Sequence, residues 1–338
     1  MENHARIKNK IHYAWVVCIM GTLLIFVTMG TVSNGFSIFL PYIMKEQGLS
    51  HAQTSSLVTL RCLVSFFAML GIGFYYKRFS LRAGNGIAAI CGAASFAIYA
   101  AARSYPAFCA GAAVSGLCYG LGSMIPVSVL MHNWFRKSQA LALGICAAGS
   151  GIATIALPTI STALVEHYSL RDAFVIECVG IVALSAVIIL FLRGSSADKG
   201  LRPYGYEEGE NEERRASPGA RAEAPAADAD TDTEQPAART LGLSGRVWLM
   251  MGLTSLFMGA LANPGFSHLS VLFRTEGFRP MTVALMISVC GLMITLGKIV
   301  YGRTTDKIGG LRSSLIFGGL LAAGHIICCF SFVGNEAL

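Results

Sequence analysis

The sequence predicts an all-α membrane protein, and three observations carry that prediction. Of 338 residues, 54% are apolar and 13% charged, against about 25% charged in an average soluble domain. Mean hydropathy is +0.58. The apolar residues also gather into runs long enough to cross a bilayer, which takes about 20 residues in a helix. Charge divides the chain into two unlike parts. Residues 194–245 hold 11 acidic and 6 basic side chains, net −5, so the other 286 residues hold 20 basic and 8 acidic, net +12. The formal +7 is their sum.

In chain order, the first span covers roughly 14–40, inside 34 uncharged residues between Lys10 and Lys45. Its apolar stretch is far longer than the h-region of a cleaved signal peptide, about 7–15 residues. Further spans are predicted at 52–76, 83–102, 105–133, 138–165, 173–192, 247–273, 281–302 and 313–333. Between the sixth and seventh lies 194–245, where 207–215 is mostly charge and 225–236 is rich in Ala, Asp and Thr without an aromatic. Such a composition cannot bury enough apolar surface to offset ordering entropy, so this stretch reads as a disordered linker.

With the N-terminus inside, 19 Lys and Arg fall in inner segments and 5 in outer loops, Lys45, Arg103, Arg171, Arg274 and Arg279. The positive-inside rule therefore favours a cytoplasmic N-terminus and a multi-pass protein of the cell membrane. All ten cysteines sit in apolar runs, with no CxxC pair and no zinc spacing, and read as small buried hydrophobes. No nucleotide loop, HExxH, nucleophile motif or EF-hand sequence occurs, so no enzyme, cofactor, metal or nucleic-acid partner is expected.

Several residues stand out as candidates for chemistry. Arg61 lies 12 residues before Gly73, about 18 Å above the inner end of span two at about 1.5 Å per residue. A permanently protonated fork at that depth either binds an anion in a cavity or pairs with carbonyls or Glu177 within the bundle. Lys298 is four residues before Gly302, about 6 Å from the boundary, where snorkelling competes with a binding role. His268 follows Pro264 and Gly265 in span seven, and either lines a broken helix or sits at the interface. Tyr119 and Phe36 line a cavity or simply pack. Gly116, Gly120 and Gly122 form a small-residue face for close helix packing. Trp134 reads as an interfacial anchor.

After span eight stands Gly302-Arg303-Thr304-Thr305-Asp306-Lys307-Ile308-Gly309-Gly310-Leu311-Arg312. This resembles the loop signature of the major facilitator superfamily, in which an acid caps a neighbouring helix while bases stay at the surface. The equivalent loop after span two keeps Gly73, Arg78 and Arg82, but has Lys77 for the acid and Ser80 for the second glycine. The stretch from Trp134 through Gly144 and Ala148-Gly149-Ser150-Gly151 to Pro158 looks like the span four to five region of the monocarboxylate transporter and oxalate:formate antiporter branch. So do Tyr13-Ala14-Trp15, Gly35 to Pro41, and Arg171-Asp172-Ala173-Phe174.

The resemblance implies a major facilitator fold with a six-helix N-terminal bundle (1–193), the linker (194–245) and an incomplete C-terminal bundle of three helices (246–338), against six in the family. Two readings stay open. In one, the protein carries a small organic anion, with a second polypeptide or self-association supplying helices. In the other, it is a truncated membrane product that transports nothing and is inert or only an interaction partner. By the resemblance, Lys298 stands where monocarboxylate transporters place the arginine that binds substrate carboxylate. Ile294 stands at their proton-coupling acid, and Asn34 at their first-helix lysine. Exchange or uniport is therefore expected over proton symport.

Overall fold

The computed structural model describes residues 12–196, 200–206, 245–247, 249–250, 252–254 and 278–331. The first span is one helix of 35 residues, Tyr13–Gln47. It runs as α1 (Tyr13–Ile25), a π-helix (Phe26–Gly35) and α2 (Phe36–Gln47), and stops at Gly48, whose φ of +63° closes a helix without penalty. Then come α3 (His51–Leu70), α4 (Ile72–Arg78) and α5 (Leu81–Ala101). Ser50 starts α3 with a capping box: its Oγ accepts from Gln53 N, and Gln53 Oε1 accepts from Ser50 N.

Span four is divided into α6 (Tyr105–Leu121) and α7 (Met124–Trp134). Pro126 falls in the first turn of α7, where its missing N–H is not needed. Pro158, by contrast, lies inside an unbroken α8 (Gln139–His167). Next are α9 (Leu170–Phe191), α10 (Pro280–Ile308) and α11 (Gly310–Ser331). Seven helices among the described residues are long and apolar enough to cross a membrane. Apart from 247, 249–250 and 252–254, the expected span 247–273 lies outside the described residues, and His268 with it.

The chain divides into two compact units, 1–205 with 273–338, and 206–272. All helices named above belong to the first. Within it α8 packs along α10, α3 on α6, and α5 on both α6 and α9, with the π-helix against α8. Small and hydroxylic residues such as Thr28, Ser95, Ser115 and Ser161 are buried, while Phe67 (62% exposed) and Phe74 (81%) face outward. An apolar exterior around a small-residue interior is the arrangement that lipid stabilises. The chain is a multi-pass membrane protein.

Basic residues separate to the two ends. Lys77, Arg78, Arg82, Arg136, Arg303 and Lys307 lie at the end where Asp306 meets the start of α8, and Lys45, Arg103, Arg171 and Arg279 at the other. At the Asp306 end, chain following α9 folds back onto the bundle. Trp134, expected as an interfacial anchor, is fully buried there and donates Nε1–H to Arg193 O at 3.0 Å. Residues 200–205, at the start of the charged stretch, reach the bundle through Tyr204. Tyr204 N donates to Trp134 O (2.8 Å), Arg136 N donates to Tyr204 O (2.9 Å), and the Tyr204 ring packs on His12, Trp15 and Phe135. An aromatic ring with partners on two elements outweighs the polar composition of its surroundings.

Candidate functional site

The π-helix creates the first half of the site. Its bonds run from residue i to i+5, and returning to four-residue spacing passes over one carbonyl, which leaves an acceptor with spare capacity. Arg61, on α3, uses this end: its Nη1 donates to Ser33 O at 2.8 Å and Val32 O at 3.4 Å. A Cβ on Gly116 would lie 2.6 Å from the Arg61 carbonyl oxygen, so glycine lets α6 close on α3 at this level. The guanidinium is an electrostatic neighbour of the Tyr119 and Tyr99 hydroxyls. Glu177 is not its partner, because that carboxyl accepts from Ser161 Oγ. In the structure the guanidinium pairs with backbone carbonyls.

From Arg61 a line of polar groups crosses the bundle. Asn34, in the π-helix next to Ser33, donates Nδ2–H to Thr154 Oγ1 on α8 at 3.2 Å. Thr154 Oγ1 in turn donates to Ser150 O at 2.9 Å. Lys298, from α10, donates Nζ–H to Ser150 Oγ at 2.6 Å and to Ala147 O at 3.1 Å. Residues 147 and 150 lie eight and eleven positions into α8, about 12 and 17 Å from its start. Lys298 therefore reaches inward along α8 rather than snorkelling to the nearer end.

Phe36 is 1% exposed and stacks on Tyr99 at 4.5 Å, a packed core ring and not an open cavity wall. Tyr119 is half-buried. Ser150 and Thr154 are what sequence reasoning missed. Their only signal was hydroxyls within the small-residue run 147–154, a pattern shared with plain helix packing.

The loop motif behaves as an electrostatic clasp. Asp306 Oδ1 accepts from Ala140 N (3.1 Å) and Oδ2 from Leu141 N (2.7 Å). Ser138, the residue before α8, sits at φ +60° and makes no side-chain cap, so a side chain from α10 supplies it. Gly302 and Gly144 let the two backbones meet: a Cβ on Gly302 would fall 2.5 Å from Ala140 O, and one on Gly144 2.7 Å from Lys298 O. Gly309 ends α10 at φ +85°, with Lys307 and Arg312 exposed beside it. The equivalent loop without its acid is held differently. Tyr75 Oη donates to Gly84 O (3.0 Å), Tyr76 Oη reaches Leu121 O (2.9 Å), and Arg82 Nε donates to Ile189 O (2.9 Å). Ser80 caps α5, Gly73 lies in open space and Arg78 is exposed.

Together these features define a polytopic helical membrane protein with two embedded cations joined by hydroxyls and an amide. A family model described as Major Facilitator Superfamily matches residues 22–337, and the chain belongs to that superfamily. It is similar to monocarboxylate transporter 12 of Mus musculus, 24% identical over 307 residues, covering 87% of this chain and 61% of that protein. Over 195 residues it is 24% identical to monocarboxylate transporter 12 of Xenopus laevis, covering 57% of this chain and 41% of the relative. The MFS-type transporter hasB of Aspergillus fumigatus is 26% identical over 258 residues, 69% of this chain and 52% of the other. The chain thus spans between about two fifths and three fifths of these relatives' lengths.

Proposed function

We propose that the protein is a secondary transporter that moves a small organic carboxylate across the cell membrane by alternating access. The halves are the helices of 1–193 and those of 246–338, joined by a linker at the cytoplasmic face, and the N-terminus is cytoplasmic. The carrying observation is that Arg61 and Lys298, both embedded, meet only neutral acceptors among the described residues. Uncompensated cations in a low-dielectric interior are costly unless an anion completes them. Arg61 offers a bidentate fork and Lys298 a point charge, and Asn34 and Tyr119 stand next to that path.

Two further facts support the reading. Relatives in mouse and frog carry the name monocarboxylate transporter, and basic residues concentrate at the end to which the positive-inside rule assigns the cytoplasm. Ile294 cannot carry a proton at the position where that branch has its coupling acid, which favours exchange or uniport over proton symport. The test is uptake of radiolabelled short-chain carboxylates into vesicles holding the purified chain. Arg61→Leu is expected to abolish uptake while inserting normally. Unchanged uptake would overturn the assignment.

A further inference from the structure

We propose that the Lys298–Ser150 hydrogen bond is a substrate-released latch between the two halves of the carrier, with Ser150 as its positioning residue. The trigger rests on the carboxylate reading; the latch itself rests on geometry. Lys298 belongs to α10, after the linker, and Ser150 to α8, before it. Their contact at 2.6 Å is a charged hydrogen bond in the middle part of the α8–α10 pair. Among the described residues the other hydrogen bonds across this pair are Ser288 Oγ to Ile155 O, between neutral groups a little over one turn further along α8, Asp306 with Ala140 and Leu141 at the start of α8, and Lys298 to Ala147 O.

Ser150 is built to receive the ammonium. It is 4% exposed, and its own hydroxyl hydrogen goes to Ala147 O at 3.1 Å, which turns the oxygen lone pairs toward Lys298. Lys298 has three N–H donors and two are engaged here. A carboxylate at the third is a stronger acceptor than a hydroxyl or a carbonyl, so it draws the ammonium off Ser150. Neighbouring contacts at Gly144 and Gly291 are close backbone approaches, and Gly151 meets Thr295. An empty carrier therefore has one more bond across its halves than a loaded one. This makes exchange fast and the empty return slow.

The experiment compares efflux of labelled carboxylate from vesicles into empty medium with efflux into medium containing unlabelled carboxylate. Spin labels introduced as unnatural amino acids at Arg171 and Met281, both exposed and one on each half, report the conformational populations with and without carboxylate. Wild type is expected to exchange faster than it leaks. Ser150→Ala is expected to raise net efflux about tenfold, the weight of one hydrogen bond to a charged group, and to shift the label populations without substrate. Lys298→Met is expected to give the same substrate-free shift and no response to carboxylate. Restoration by Ser150→Thr marks the hydroxyl as the cause. An efflux-to-exchange ratio in Ser150→Ala equal to wild type, or unchanged label populations, overturns the latch. If wild type ignores carboxylate while Ser150→Ala still moves the labels, the latch stands and the carboxylate reading falls.

Discussion

Asp306 places both carboxylate oxygens on the backbone of another helix, accepting from Ala140 N and Leu141 N at 3.1 and 2.7 Å. The donors are first-turn N–H groups of α8, which lack partners within their own helix. A residue beyond the linker thus completes a helix that precedes it. Asp306→Asn keeps one acceptor and loses the charge at the helix N-terminus. It is expected to lower stability by about 1 kcal/mol, read as a reduced melting temperature in detergent; no change would place the stabilisation elsewhere.

Gly302 and Gly73 occupy matching loops but not matching space. A side chain at Gly302 meets the Ala140 carbonyl, whereas at Gly73 nothing lies within 4 Å. Gly302→Leu is expected to separate α8 from α10 and cost about 2 kcal/mol or more through overpacking, while Gly73→Ala leaves melting unchanged. Equal effects in parallel thermal scans would contradict the packing shown.

Glu177 is 7% exposed, and Ser161 Oγ is its hydrogen-bond donor, with Oε2 left unpartnered. Ser161→Ala strips the carboxyl of that donor, at about 1–3 kcal/mol. Ser161→Ala combined with Glu177→Leu is expected to be less damaging than the two single changes added together. A double-mutant cycle in denaturant measures this, and strict additivity would deny the coupling.

Tyr204 holds 200–205 on the bundle end through its ring as well as its backbone. Tyr204→Ala is expected to release the segment and speed amide hydrogen exchange there at least tenfold. Exchange at wild-type rates would show that the backbone bonds suffice.

Long apolar runs made the spans readable, since a helix crossing a bilayer leaves a pattern of length and charge. The loop signature that 302–312 resembles implied an acid beside a neighbouring helix, and in the structure Asp306 meets the start of α8. Counting residues located Arg61 in depth, yet its partner was hidden: the π-helix over 26–35 has no sequence signature, so nothing in the letters offered Ser33 O. Ser150 and Thr154 look like any hydroxyls on a packed face, and their role appears only once α10 brings Lys298 alongside. Trp134 looked like an interfacial anchor because its partner, the Arg193 carbonyl, is distant in sequence. The contacts of Tyr204 were likewise illegible, since its neighbours His12, Trp15 and Phe135 lie far along the chain.

The widened first span has one more consequence. Restoring ordinary helical spacing between Phe26 and Gly35 would turn everything beyond by about 100° for each residue of register taken up. Phe36 and Phe39 are keyed into Tyr99 and Phe174 and resist that rotation. Arg61 grips the same helix just before them. Span one is thus pinned in its register at two points, by the rings of Phe36 and Phe39 and by the Arg61 guanidinium.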